Sequence, residues 1–424
     1  MDTIFALSSG RPPAAIAVVR VCGPAACHAL EALAGSRPRL REARLRVLRD
    51  ASGDVLDRAM VIWFPGPDSA TGEDTAEFYL HGGAAVVVAV ERALGALPGL
   101  RKAEPGEFTR RAFANGRIDL AEAEGLADLL EAETELQRRH AVALAGGALS
   151  QQVELWREEV LGLSAQVESA LDFSDEGDVG GLDSGFVYAV ERLAGEIGSW
   201  LEQPRAEKLR EGFRVVLAGP PNAGKSSLFN ALIEEEAAIA TPIPGTTRDV
   251  LERSVSLGGL PFTFVDTAGL REDSDDAIET IGIARARAQA AQADCVLWLG
   301  AEGEGPQGSW EVATKYDLDG GHGNPNAAFH VSAVSGEGIA ALRGALIDHA
   351  RVAMPSPDSV ALNARQHALM SQLHSALEAM GESQDLLIIG ENLRYARRML
   401  DDMIGRTSTE DMLDALFGRF CIGK

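Results

Sequence analysis

Val215-Val-Leu-Ala-Gly219-Pro-Pro-Asn222-Ala223-Gly224-Lys225-Ser226-Ser227 is the stretch whose reading decides the fold. Four apolar residues read as a short buried strand, and the segment after them fits G-x-x-x-x-G-K-[ST], the phosphate loop, in the strand-then-helix setting that the motif requires. The residue types have physical reasons. Glycines let successive backbone N–H groups turn inward around phosphate, a lysine at position 225 reaches the β and γ oxygens, and a serine at 226 can ligate Mg²⁺. A helix starting near Lys225 adds its positive end. A tight turn between strand and helix would need the glycines but not the Lys-Ser pair.

Further along the chain, the companions of such a loop occur in order. Thr247, in Gly245-Thr246-Thr247-Arg248-Asp249, lies 21 residues after Ser226 and is placed to complete Mg²⁺ coordination when a γ-phosphate is present. Asp266-Thr267-Ala268-Gly269 follows the strand-like run Phe262 to Val265, setting a carboxylate near the metal and a glycine N–H near the γ-phosphate. Thr314-Lys315-Tyr316-Asp317 resembles N-K-x-D, in which the aspartate accepts hydrogen bonds that guanine offers and adenine does not. Thr314 stands where asparagine is usual, and its shorter hydroxyl is expected to weaken base binding. Ser332-Ala333-Val334, after Ala328 to Val331, fits the last nucleotide loop. Together these residues predict a GTP-binding α/β domain, with an ATPase or a degenerate fold as the alternatives. Leu270 occupies the position after Gly269 and cannot orient a water molecule. The acidic stretch Glu272 to Glu279 supplies candidates for that role, and the charge that develops on the phosphates calls for a cation that no arginine spacing identifies.

The 424 residues suggest two to four domains, and 46% hydrophobic with 24% charged content suits a folded globular chain. A net charge of −24 argues against broad nonspecific adhesion to nucleic acid. The longest apolar stretch, around Ala84 to Val90, is far short of a bilayer span, and no export signal is evident, so a cytoplasmic protein without membrane partners is expected. Cys22, Cys27, Cys295 and Cys421 lack metal-ligand or disulfide spacing and read as free thiols. Residues 1–118 mix short apolar runs with Gly and Pro turns, as an α+β unit does. From Asp119 the composition turns helical, with Val153, Trp156, Val160, Leu163, Val167 and Leu171 spaced by three and four. An α/β segment follows Pro204, and helical spacing returns beyond Pro355 and Pro357. The expected fold class is therefore multi-domain α/β: an α+β N-terminal domain (1–118), and a helical domain (119–210 and 351–424) interrupted by an inserted Ras-like P-loop domain (211–350). Arg394, Arg397 and Arg398 share one helical stretch, read as a solvated face or a local basic patch.

The whole chain resembles the MnmE (TrmE) family of tRNA-modification GTPases. The resemblance rests on Asp2-Thr-Ile, Phe64-Pro-Gly-Pro, Pro105-Gly-Glu-Phe-Thr with Arg111-Ala-Phe and Asp119-Leu, the nucleotide motifs, and the terminal Phe420-Cys421-Ile422-Gly423-Lys424. It implies an N-terminal folate-binding and dimerising domain, with folate contacts at Arg20, Glu77, Arg117 and Lys424. Arg117 stands where lysine is more familiar, which keeps the charge and changes the donor geometry. The resemblance also implies a potassium ion held by Asn222 and the loop Thr241-Pro242-Ile243-Pro244-Gly245-Thr246, with oxygens from Thr241, Ile243 and Thr246 taking the place of an arginine finger. Under it Glu279 orients the attacking water when two GTPase domains meet, although by itself it is an ordinary solvated acid. Cys421 is either a nucleophile or proton-transfer group on a flexible tail or an inert small side chain. The implied activity is K⁺-dependent GTP hydrolysis coupled, with the flavoprotein partner MnmG in a heterotetramer or larger complex, to C5 modification of the tRNA wobble uridine. The one-carbon unit would come from 5-formyl- or methylene-tetrahydrofolate. The rival class is a GTP-switched RNA or ribosome assembly factor with no covalent chemistry.

Overall fold

The structure, a computed structural model, describes residues 2–172, 182–220, 222–233, 251–266, 291–318, 324–357, 359–381, 383–407 and 410–424. The chain forms two compact units: Met1–Ala127, Ala145–Arg157 and Leu400–Lys424 make the first, and Asp128–Leu144 with Glu158–Met399 make the second.

In the first unit, β1 (Thr3–Leu7), β2 (Ile16–Cys22), β3 (Arg44–Arg49), β4 (Val55–Phe64), β5 (Thr75–His81) and β6 (Leu100–Lys102) form one sheet of order β3-β4-β5-β2-β1-β6. Only the β1–β6 pairing is parallel. Period-two alternation decides which face is covered. Ala17, Val19 and Val21 of β2 are buried, and they join a core with α1 (Ala26–Ala34) and α2 (Ala84–Gly95). On the opposite face, Ile16 is exposed, and Val18 and Arg20 are half-buried. After α3 (Glu107–Ala114), Asp119 and Glu122 exchange hydrogen bonds of 2.8 and 2.9 Å between side chain and backbone N–H, a capping box that starts α4 (Leu120–Glu131). That is the local role of Glu122.

The end of the chain returns to this unit. Phe417, in the last helix Glu410–Phe417, meets Phe113 with ring centroids 6.1 Å apart. A Cβ at Gly106 would lie 2.2 Å from the Phe417 carbonyl oxygen, so only glycine lets the two backbones approach. Ile422 then bridges to Pro105, and a Cβ at Gly423 would lie 2.0 Å from the carbonyl oxygen of Leu7.

In the second unit, β7 (Phe213–Ala218), β8 (Leu251–Leu257), β9 (Leu260–Asp266), β10 (Cys295–Trp298), β11 (Trp310–Ala313) and β12 (Phe329–His330) form a sheet of order β12-β11-β10-β7-β9-β8. All its pairings are parallel except β8–β9. Every residue of β9 is buried, as a strand covered on both faces must be. Helices Lys225–Ile233 and Ile339–Ala353 contribute to the core around it. Asp183 caps helix Ser184–Leu201 by accepting from Phe186 N at 2.9 Å, and that helix runs beside Ala364–Gly381. Arg394, Arg397 and Arg398 are exposed on helix Leu386–Met403.

Candidate functional site

Strand order reverses direction at β7, between β9 on one side and β10 on the other. Open parallel sheets place ligands at the carboxyl ends of the strands at such a switch point. The loop leaving β7 carries Gly219 (φ 150°), Asn222 (φ 60°) and Gly224 (φ 87°), backbone conformations that fold it back on itself. Lys225 is buried, and its ammonium donates to the carbonyls of Gly219 (2.9 Å) and Pro220 (2.8 Å), which hold it across the loop. Ser226 Oγ donates to Asp266 Oδ2 at 2.7 Å, which joins the start of the helix to the end of β9. This donor set suits a hard cation: a hydroxyl and a fully buried carboxylate converge beside a loop able to bind phosphate. Ser227 is exposed on the next position of the helix.

Thr314, expected to weaken base binding, is tied to the phosphate loop. Its hydroxyl donates to the carbonyl of Ala223 at 2.6 Å, and Lys315 Nζ donates to the carbonyl of Asn222 at 2.8 Å. Lys315 itself has φ 57°. Ser332 Oγ donates to Asp317 Oδ1 at 2.6 Å and accepts from the N–H groups of Val334 and Ser335 at 3.3 and 3.1 Å. The carboxylate is thereby oriented, and it keeps acceptor capacity for a base edge. Ala333 is half-buried and Val334 exposed beside it. Direct hydrogen bonds thus join Ser226 to Asp266, Thr314 and Lys315 to the phosphate loop, and Ser332 to Asp317.

In the first unit, Arg20 and Glu77 stand opposite each other on β2 and β5 and pair at 2.8 Å. Tyr79 Oη donates to the other oxygen of Glu77 at 2.7 Å, and burial, with Glu77 beside it, pushes the phenol up to about 12. The Arg20 guanidinium lies 5.7 Å from the Phe108 ring centroid. Tyr79 and Phe108 were missed in the sequence. Tyr79 was findable in principle, because two residues along a strand from Glu77 is the same face. Arg117 is exposed, its backbone N–H bonded to Ala112 O at 2.8 Å, and its stem lies near Gly72. Lys424 N donates to Cys421 O at 3.2 Å, closing the tail into a turn whose Gly423 abuts Leu7, while Ala6, next to Leu7, pairs with Arg20.

Residues 3–117 match the family model described as GTP-binding protein TrmE N-terminus, and residues 120–421 match the MnmE helical domain. Over 424 residues and the full length of both proteins, the chain is 63% identical to the tRNA modification GTPase MnmE of Erythrobacter litoralis. It is 61% identical over 435 residues to that of Novosphingobium aromaticivorans, again covering 100% of each, and 51% identical over 436 residues to that of a Methylobacterium species. The chain belongs to the MnmE family. As an MnmE-family chain with its phosphate loop and metal-side carboxylate in place, it is a GTP hydrolase. Thr241, Pro242, Ile243, Pro244, Gly245, Thr246, Thr247, Thr267, Ala268, Gly269, Leu270 and Glu279, read in the sequence as switch and potassium-loop residues of an MnmE protein, lie outside the described residues. No helix among those described is long and apolar enough to cross a membrane.

Among the cysteines, burial pushes Cys22 up to about 11 and Cys295 up to about 12, so both are held as thiols. Cys421 is exposed.

Proposed function

We propose that this chain couples potassium-dependent GTP hydrolysis to addition of an aminomethyl or carboxymethylaminomethyl group at C5 of the wobble uridine of certain tRNAs, together with an MnmG-type flavoprotein. In this reading residues 1–118 dimerise and bind folate, 119–210 and 351–424 form the helical domain, and 211–350 hydrolyse GTP in the cytoplasm. The observation that carries it is the seating of the Cys421–Lys424 tail against β1, whose Ala6 pairs with Arg20 of the Arg20–Glu77 pair, since a GTP-switched assembly factor has no use for an exposed thiol on that tail.

Each residue then has a defined task. Lys225 exchanges backbone carbonyls for β and γ phosphate oxygens, and the N–H groups of Asn222 to Ser226 bind the same charge. Ser226 and Thr247 would hold Mg²⁺, which would neutralise phosphate charge, and Asp266 orients Ser226 through their 2.7 Å bond. Asp317, set by Ser332, accepts from guanine, and Thr314 keeps the base loop fixed to the phosphate loop. Asn222 is exposed on the same loop, where its amide oxygen suits potassium, and Thr241, Ile243 and Thr246 would complete that set. Glu279 orients the attacking water. Arg117 and Lys424 would offer cations to the glutamate carboxylates of tetrahydrofolate, and Glu77, paired with Arg20, would offer an acceptor to its amino-pterin edge. Cys421 then acts on the one-carbon unit or the uridine.

Mass spectrometry of tRNA nucleosides from cells lacking this chain tests the reading. The C5 modification should vanish and return with the wild-type gene. An unchanged nucleoside profile would leave GTP hydrolysis without this output and favour the assembly-factor class.

A further inference from the structure

A cavity of about 250 Å³ lies within the second unit and is lined by none of the nucleotide residues just described. An apolar cavity of ~150 Å³ is enough to hold benzene. Its lining is mixed: Ala141, Leu209 and Phe262 supply apolar surface beside Thr134, Gln137 and Ser254. His140 is also in the wall; it is 7% exposed, and its ring nitrogens reach only the Pro355 and Ser356 carbonyls, without a hydrogen bond of ordinary geometry. Burial holds its pKa below the ordinary histidine value, against the pull of the Pro355 and Ser356 carbonyls, so the imidazole is neutral at pH 7. Buried polar atoms without partners are rare in folded proteins.

Asp128, Glu131, Glu133 and Arg210 supply the charged groups of the lining. Arg210 is committed to Asp128: burial disfavours its charge, but Asp128, Glu131 and Glu207 more than offset this and hold the guanidinium above its usual value. Three carboxylates against one guanidinium leave the lining with a net charge of −2. Glu131 and Glu133 are exposed, as a charged rim is. Volume, lining and charge therefore favour a ligand with a ring-sized apolar body and a positive head.

The far wall is the β8–β9 hairpin, through Val255 and Phe262. β8 begins at Leu251, four residues beyond Thr247, and β9 ends at Asp266, so both ends of the hairpin lead into the switch motifs. The hairpin turn is tied as well to helix Glu135–Ala145, which carries His140 and Ala141, because Leu136 N donates to Gly259 O at 3.1 Å.

We propose that this cavity binds a small aromatic organic cation and that its occupancy changes the rate of GTP hydrolysis through the β8–β9 hairpin. Calorimetric titration of the full chain with tryptamine tests the site, with indole-3-propionate as the anionic control. Tryptamine should bind with one site per chain and the anion should not. Replacing both rim acids (Glu131→Gln with Glu133→Gln) should weaken tryptamine roughly three- to tenfold, since exposed charge contacts are individually modest. Ala141→Trp should weaken tryptamine more strongly by occupying much of the cavity, and Ala141→Leu should weaken it less. The exposed glutamine pair keeps the test valid if either Ala141 variant fails to fold. No binding, equal binding of the anion, or binding unchanged in the glutamine pair would overturn the site. Saturating tryptamine should shift hydrolysis severalfold, at the lower end of the roughly 5- to 150-fold range of common couplings. An unchanged rate with tryptamine bound would overturn the coupling. That arm alone rests on the GTPase reading, and the binding arm stands without it.

Discussion

The two six-stranded sheets of this chain carry their candidate sites in opposite ways. In the largely parallel sheet, each functional loop leaves a strand at the same edge, so Gly219 to Ser226, Asp266, Thr314 to Asp317 and Ser332 meet by topology. In the mostly antiparallel sheet, one face is covered by helices, and the site is assembled from residues 20, 77, 79 and 421–424. Local motifs are enough for the first arrangement. The second depends on pairings between the ends of the chain, which no spacing rule encodes.

The strongest way to break this contrast is Lys225→Ala. Losing the ammonium should lower GTP hydrolysis by ~1,000-fold, comparable to deleting one preorganised contact to transition-state charge. Because both outputs depend on hydrolysis, modification should fall with it. Steady-state phosphate release and nucleoside analysis check this together, and hydrolysis within tenfold of wild type would remove Lys225 from the phosphate site.

Cys421→Ser should separate the two regions. Modification should be lost while hydrolysis stays within about twofold, because the tail packs on Leu7 and Pro105 of its own unit. Full modification by the serine variant would return Cys421 to the role of an inert side chain.

Next in size is the ion. Potassium in place of sodium at equal ionic strength should raise hydrolysis by ~100-fold, since Leu270 cannot orient water and the phosphates need a cation. Equal rates in the two salts would remove Asn222, Thr241, Ile243 and Thr246 from an ion site. Asn222→Ala should abolish the difference while leaving basal hydrolysis in sodium near its starting value.

What the sequence made legible follows the same division. The strand before Gly219 and the Lys-Ser pair after it identified the central strand, because a buried parallel strand reads as a continuous apolar run. The ends of β4, the parallel β1–β6 pair and the sheet order β3-β4-β5-β2-β1-β6 were not legible, since period two fixes faces but not partners. Glu122 caps a helix with Asp119, a role that went unread in the sequence. Arg20 and Glu77 came only from resemblance, and their partners Tyr79 and Phe108 went unread because an aromatic beside a charge is an ordinary sight in a core. Thr314 was judged by its reach towards the base, although its hydroxyl faces the phosphate loop.

That last difference can be measured, and it is the smallest effect expected. Thr314→Val keeps the shape of the side chain and removes its hydroxyl, so the 2.6 Å bond to the Ala223 carbonyl disappears. A neutral hydrogen bond contributes about 0.5 to 1.5 kcal/mol net, which corresponds to a roughly 2- to 12-fold loss of GTP affinity. The loss should be equal for GTP and GDP, because the tether fixes the loop and does not touch the γ-phosphate. Preference for guanine over adenine should persist, because Asp317 and its bond from Ser332 are untouched. Thr314→Asn separates the two accounts of this residue. If threonine is a weakened base reader, the amide should raise GTP affinity; if it is a tether, the longer side chain should gain nothing or lose affinity by crowding the loop at Gly224, where a Cβ would already lie 3.5 Å from the Thr314 hydroxyl. Titration of both variants with GTP, GDP and ATP decides it. Unchanged affinity in the valine variant would sink the tether, and a gain in the asparagine variant would restore the sequence reading.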